Sequence, residues 1–375
     1  MNRRVSSYFV YALVLVIGVS LPNQTSRSSR SLAASESGVI FKTSIQVTTL
    51  QVRSVKGPDG MWYDNYWEWA PKVKFNVEGP LSGGSQLSAE FFQAGNKSWV
   101  KYDCKTPELA QGKIGNVECG SGLSERELKG IKDTGDFTLT IGLKNEIAGT
   151  SSTLFSGRFN VKKFRPEPDL PVNKNHWIYY VDHDWELPLG FVWYPSSSQG
   201  ATGVKSYDGY ATLMTAFWFK GIPIDDKDAA AYLFYQGREI SNTKAHGHTF
   251  TEISSPALGS DRAYDYQRVR FEFLDVFGFA NDHQAHPGYY LNQNSGEYEV
   301  RVARAGKLVR SLRFTIGNDG KLVDNGIAGN NDILGNRVVV PAQVIGDSDG
   351  QWDRNAWRTE MFYGNPLKGF TVPGM

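Results

Sequence analysis

Glu90-Phe91-Phe92-Gln93-Ala94-Gly95 returns 143 positions later as Leu233-Phe234-Tyr235-Gln236-Gly237. Three further echoes surround that pair. Gly79 answers to Gly221, a shift of 142. Gly135-Asp136-Phe137-Thr138-Leu139-Thr140-Ile141 answers to Gly296-Glu297-Tyr298-Glu299-Val300-Arg301-Val302, a shift of 161. Arg158-Phe159-Asn160-Val161 answers to Arg313-Phe314-Thr315-Ile316, a shift of 155. A Gly-acidic-aromatic strand start is common in β-sandwiches, so one echo alone would carry little. Four in the same order, with the shift changing only between strands, predict one β-rich module used twice.

The stretches around these anchors read as strands. Lys72-Val73-Lys74-Phe75-Asn76-Val77 alternates apolar and polar, the period of a half-buried strand. Residues 45–52, 87–92, 98–102, 137–143 and 154–164 bring the first module to about seven strands, with turn signals at sandwich-like intervals. Strands at 177–181, 191–194, 211–219, 231–236, 269–274, 298–302 and 308–316 make the second. Helical periodicity is weak; Ser124-Glu125-Arg126-Glu127 is a capping box that Gly130 cuts short. The predicted fold is all-β, two tandem antiparallel β-sandwich domains. They resemble immunoglobulin-like or C2-like modules in strand count and turn spacing. The first covers 40–165 and the second 175–317. Between them Arg165-Pro166-Glu167-Pro168-Asp169-Leu170-Pro171, in the span 166–174, reads as a stiff Pro-rich linker.

Residues 318–375 form a C-terminal extension in which 337–375 lack a counterpart in the first module. It holds Val338-Val339-Val340 as one strand, then Trp352, Trp357, Phe362, Tyr363 and Phe370. So much apolar area is expected to dock on the sandwiches rather than stand in water.

The N-terminus reads as an export signal over 1–33. Arg3 and Arg4 precede an apolar run from Tyr8 to Leu21, broken by Pro22, and Ser31-Leu32-Ala33 offers a small-x-small cleavage site. The run is short for a membrane span of about 20 residues. An uncleaved anchor is the alternative, and the only expected route to a membrane. The implied place is secreted, periplasmic or cell-surface. Cys104 and Cys119, the only two cysteines, then read as a disulfide worth about 3 kcal/mol; their spacing suits no metal site. The formal charge of +1 carries no concentrated basic face, which excludes a nucleic-acid partner.

Four of the six histidines fall in one stretch of the second module, which is 18 residues longer than its counterpart (161 against 143). On a strand, His246 and His248 would share a face; His283 and His286 could close a Zn or Cu set, with Asp275 or Asp282 adding a carboxylate. The competing reading is exposed loop histidines. Asp347, Asp349 and Asp353 alternate like calcium ligands, but Gly350 comes two residues early for an EF-hand loop and no glutamate closes it. An Asp/Gly turn is the simpler reading.

Trp62, Tyr66 and Trp67, in the run Trp62-Tyr63-Asp64-Asn65-Tyr66-Trp67-Glu68-Trp69, offer flat rings and polar partners suited to sugars. Core packing of Trp67 and Trp69 by strand alternation competes with that. Asp182-His183-Asp184 sets acid beside base, but strand neighbours point to opposite faces. No nucleophile elbow, P-loop or dinucleotide fingerprint is present in the sequence. Paired carboxylates of the glycosidase kind leave no spacing to find. These features together point to a non-catalytic binding or scaffolding protein. Its expected partner is an envelope or extracellular protein, or a polysaccharide. A metal-dependent enzyme or metal-binding protein centred on the second-module histidines is the alternative.

Overall fold

Strands hold 60% of the chain and helix 9%, in several antiparallel sheets, one of them a curled half-barrel. The computed structural model describes residues 38–56, 58–94, 97–120, 128–166, 176–194, 212–221, 229–255, 262–278, 287–333, 337–359 and 367–372, without the side chains of 53–55, 62–67, 262 and 359. The export signal, the capping box and most of the Pro-rich linker lie outside the described residues. So do Phe362 and Tyr363.

The first half runs β1 (Val39–Ile40), β2 (Gln46–Lys56), β3 (Trp62–Glu78), β4 (Ser85–Gln93), β5 (Lys97–Asp103), β6 (Ile114–Cys119), β7 (Gly135–Asn145), β8 (Thr150–Phe164) and β9 (Ile178–Asp182). The second half begins with β10 (Leu189–Trp193), β11 (Thr212–Lys220), β12 (Ala229–Tyr235) and β13 (Arg238–Asn242). It continues through α1 (Thr243–His246), β14 (Gly247–Ser255), β15 (Tyr266–Phe277), β16 (Tyr289–Tyr290), β17 (Gly296–Arg304) and β18 (Lys307–Ile316). The C-terminal part adds α2 (Ile327–Asn330), β19 (Arg337–Val344) and α3 (Ala356–Thr359).

One sheet has the order β5-β4-β7-β8-β9; the half-barrel runs β13-β12-β17-β18-β19-β10-β11-β15-β14, with β16 beside β15. The first five strands of each list correspond one to one. The sequence echoes fall on equivalent places. Phe137 faces Phe159 across β7 and β8, and Tyr298 faces Phe314 across β17 and β18. Both ring pairs stack, at 5.8 and 5.1 Å between centroids. Gly135 and Gly296, which open β7 and β17, hold φ of 105° and 137°, a region open to glycine and costly for other residues.

Two strands sit elsewhere than the sequence suggests. Residues 177–181 are expected in the second module, yet β9 pairs with β8 and completes the first sheet. β19 is expected to have no counterpart, yet it takes the place in the half-barrel that β9 takes in the first sheet. There β19 pairs with β18 on one edge and β10 on the other. β9 reaches β2, the equivalent of β10, through side chains: Thr49 Oγ1 donates to the Tyr179 carbonyl at 2.6 Å and Gln51 Nε2 to that of Trp177 at 3.0 Å. The interval 166–174 therefore joins two strands of one sheet system.

Burial follows from this layering. Leu87, Ala89 and Phe91 of β4 point inward while their neighbours meet solvent, the pattern of a sheet with one face on the core and one solvated. Every residue of β11 is buried. Its Leu213, Phe217 and Phe219 fill the inside of the curl; Met214, Ala216 and Trp218 face the core shared with the first half. Arg268 and Arg337 donate to Thr43 at 2.7 and 2.6 Å, fixing the start of the first half on that outer face. Trp357, Leu367, Phe370 and Val372 are buried in the shared core, and the Trp357 and Phe370 rings meet edge to face at 5.7 Å. The aromatic tail is thus part of the core. Cys104 and Cys119 form a disulfide, Cα to Cα 4.4 Å.

Candidate functional site

Two polar regions stand out, one sealed and one open. The sealed one begins where β9 ends. Asp182 and Asp184 project to one side and converge on Tyr266 of β15, whose hydroxyl lies 2.8 Å from Asp182 Oδ1 and 2.7 Å from Asp184 Oδ1. Lys220 Nζ donates to Asp184 at 2.8 Å and Lys162 pairs with Asp182. The backbone of Asp353 donates to Asp184 at 2.8 Å, so the tail closes over the cluster. His183 turns the other way, with Nδ1 2.5 Å from Glu186 and its ring stacked on Trp218 at 5.3 Å. The strand ends at Asp182, so alternation does not govern this triplet: a short 3-10 turn over Asp184–Glu186 instead brings Glu186 to His183, whose ring also meets the Tyr266 ring edge at 5.3 Å.

Beside it Arg310, fully buried, donates to both oxygens of Asp349 at 2.7 and 2.6 Å and twice to the Trp218 carbonyl. Burial raises the Asp182 carboxyl, but the Lys162 ammonium, the Asp184 N–H and the Tyr266 hydroxyl outweigh it and hold the group below its ordinary range. Burial, then the two carboxylates, push the Tyr266 phenol well above its ordinary value. The side chains of Asp182, Asp184, Tyr266, Lys220, Arg310 and Asp349 are buried and bonded to one another, to other strands or to the tail. The arrangement is a polar bolt through the core.

The open region is a cleft of about 380 Å³ in the second half. It forms at the seam of the half-barrel. β13 and β14 are the two ends of the curled sheet, and α1 joins them directly. Asn242 caps α1 by accepting from the Ala245 N–H at 2.9 Å. Gly247 is required next: a Cβ there would stand 2.3 Å from the Glu272 carbonyl and 2.7 Å from the Thr243 Cα. Across the seam Ser241 of β13 donates to Asp275 of β15.

The ladder of β12 with β13 ends at Tyr232 and Asn242, after which Thr243 Oγ1 accepts the Ala231 N–H at 3.0 Å. By strand parity the Ala229 N–H points to the same side. Ala230, its β17 partner Ala303, and Ala305 line the cleft, while the Ala229 methyl, next to Ala230 on the strand, points into the half-barrel core. Lys244, His248, Tyr232, Thr243 and Thr249 supply the polar lining, and none of the described lining residues is a carboxylate.

The predicted site residues meet this geometry unevenly. His248 lines the cleft and is exposed. His246 closes α1 and His248 lies on β14, so the two histidines do not share a strand face; the chain is helical up to His246, after the Asn242 cap, and becomes extended at Gly247. His283, His286 and Asp282 lie outside the described residues. Among the described residues no three His, Cys, Asp or Glu side chains gather as a metal-holding group. Asp349, read as a calcium ligand, commits both oxygens to Arg310, while Asp347 and Asp353 are exposed.

Trp62, Tyr66 and Trp67 lie on β3 with side chains outside the described set; Trp69 is fully buried against Trp99, Phe137 and Tyr179. Sequence reading missed Lys244, Thr243 and Tyr232. The Asn-Thr cap ahead of Lys244 and the glycine between the histidines were the available signals. Among the described residues no helix is long and apolar enough to cross a membrane. Compared with known proteins, the chain matches no family model and no curated protein.

Proposed function

We propose that this protein is an exported β-scaffold, built by duplication of one module, that binds a partner at the cleft on its half-barrel seam. The partner is a polysaccharide or a protein of the envelope or extracellular space. The observation that carries the reading is the seam itself. α1, Gly247, Thr243 and the Ser241–Asp275 bond hold open a polar cleft at the one place where the curled sheet is not closed by its own ladder. Barrel mouths and edges are common ligand sites, and function is readily grafted onto the variable loop of a repeated scaffold. Export is supported by the charged-then-apolar N-terminus and by the disulfide. The duplication is supported by matching strand order and by anchors in matching registers.

The test is equilibrium binding of the full chain to a panel of neutral and acidic cell-surface oligosaccharides, with each mixture also chromatographed after long incubation. At least one member should bind saturably and emerge unchanged. Cleavage of a panel member would replace binding with catalysis. A panel with no binder would remove the polysaccharide and leave the protein partner.

A metal-dependent reading keeps one specific support, the position of His248 in the cleft with exposed His246 two residues before it. Zinc and copper titration of the full chain separates the two. Micromolar binding lost in His246→Ala and His248→Ala would favour the metal.

A further inference from the structure

We propose that the polar bolt locks itself covalently, by an amide bond between Lys220 Nζ and the Asp184 carboxyl. The bond lies in the core and is independent of any ligand at the seam. Lys220 ends β11 and Asp184 follows β9, so the contact joins positions 36 apart in the chain. Nζ lies 2.8 Å from Asp184 Oδ1, and the two side chains are only 7% and 4% exposed. A charged pair this dry is costly, because each ion has given up its water and its partner repays that only in part. Passing one proton from the ammonium to the carboxylate neutralises both. It leaves an amine, which is a nucleophile, held against a carboxylic acid. The neighbouring pair of Lys162 and Asp182 differs, since the Lys162 side chain is 39% exposed and keeps its water.

The surroundings suit the condensation atom by atom. The Asp353 N–H donates to Asp184 Oδ2 at 2.8 Å, where negative charge gathers as Nζ adds to the carboxyl carbon. The Tyr266 hydroxyl lies 2.7 Å from Oδ1, the oxygen that leaves, and 2.8 Å from Asp182 Oδ1, which fixes its position. In the reaction the bond from Nζ to the Asp184 Cγ forms and the Cγ–Oδ1 bond breaks. The ammonium gives up two of its three protons across the Nζ–Oδ1 contact, and Oδ1 departs with both as water. The Tyr266 hydroxyl donates to that oxygen as it leaves. No oxidant, reductant or cofactor enters the balance. The product keeps the partners already in place. Its N–H donates to the Gln351 carbonyl, which Nζ reaches at 2.8 Å, and its carbonyl accepts from the Asp353 N–H. Two buried charges become one neutral amide with both polar atoms paired.

Mass spectrometry of the full chain, folded and then reduced and denatured, tests this, with the N-terminus read from its own peptides. The wild type should weigh one water less than its sequence. Trypsin should leave Lys220 uncut and joined to the peptide that carries Asp184. Lys220→Met and Asp184→Ala should each show the full mass of their own sequence. Tyr266→Phe, shown to be folded by circular dichroism, should close the bond roughly a hundredfold more slowly, the scale of losing one preorganised donor. It should therefore still hold uncrosslinked chain when the wild type is fully closed. Wild type at its full sequence mass, with Lys220 cut normally, would overturn the bond. A water loss that persists in Lys220→Met, or a linked peptide that contains Lys162 in place of Lys220, would overturn the assignment. A folded Tyr266→Phe protein that closes as fast as the wild type would overturn the role of the hydroxyl.

Discussion

Arg310 carries its charge where water cannot follow. It holds five hydrogen bonds, two of them to Asp349, and its guanidinium lies 4.6 Å from the Phe219 ring centroid. Replacing Arg310 with Met should cost about 3–5 kcal/mol, because Asp349 would stay buried and unpaired. Adding Asp349→Leu should recover much of that loss. Urea denaturation of the two variants and the wild type checks it; simple addition of the two single losses would contradict the pairing. Nothing in the sequence marks Arg310. It lies among β-formers on β18, and Asp349 reads more naturally as a turn residue or calcium ligand. A contact between positions 39 apart leaves no local pattern.

The phenols give a second residue-scale test. Burial, with the nearby charges of Glu68 and Asp133 for Tyr179 and of Asp319 for Tyr194, pushes Tyr102, Tyr179 and Tyr194 up to about 12. Tyr266 lies higher still than the ordinary phenol. The unfolded chain ionises these groups near 10. Their folded values are raised, so the stability they contribute is complete below about pH 10 and is lost as pH rises toward 12. Spectrophotometric titration at 295 nm should therefore show a subset of the 18 tyrosines ionising late and together with unfolding. A smooth single titration centred near 10 would contradict their burial.

At the scale of elements, the tail is the revealing case. Its aromatic content led to the expectation of docking, and Trp357 and Phe370 are buried. What the sequence could not convey is that β19 is a structural strand of the half-barrel. Val338-Val339-Val340 reads as a strand from its residues alone, but its two partners are set by registers with β10 and β18. Truncation after Gly335 removes that strand, the buried Asp349 and five buried apolar side chains beyond it, Ala356, Trp357, Leu367, Phe370 and Val372. The shortened chain should lose cooperative unfolding and aggregate, as followed by circular dichroism and light scattering. A soluble product with an unchanged melting curve would contradict this placement.

The disulfide sits at the analogous weak point of the first half. β5 and β6 are outer strands of two sheets, and Cys104 and Cys119 join their ends. The double replacement Cys104→Ser, Cys119→Ser should destabilise by about 3 kcal/mol in urea, since the crosslink restricts the unfolded chain.

Across the whole molecule the two halves solve one problem in two ways. The strands β5-β4-β7-β8-β9 of the first half and β13-β12-β17-β18-β19 of the second run in matching order, and each half has sheet ends to join. The first half closes with a covalent bond. The second closes with α1, and that closure leaves the cleft. The anchors around Gln93 and Gln236 made the shared architecture legible, because strand starts and aromatic pairs repeat with the backbone. The cleft was only half legible. The histidine-rich insertion marked the right segment through His248, while the partners that shape it, Tyr232 on β12 and the turn at Ala305, come from strands far apart in the chain.

Hydrogen–deuterium exchange of the full chain, with and without a saturating oligosaccharide that the panel shows to bind, tests the central claim most directly. Protection should gather in peptides covering 229–232, 243–249 and 303–306, and the first half should exchange as before. Protection confined to the first half, or spread evenly over the molecule, would contradict the seam as the binding site.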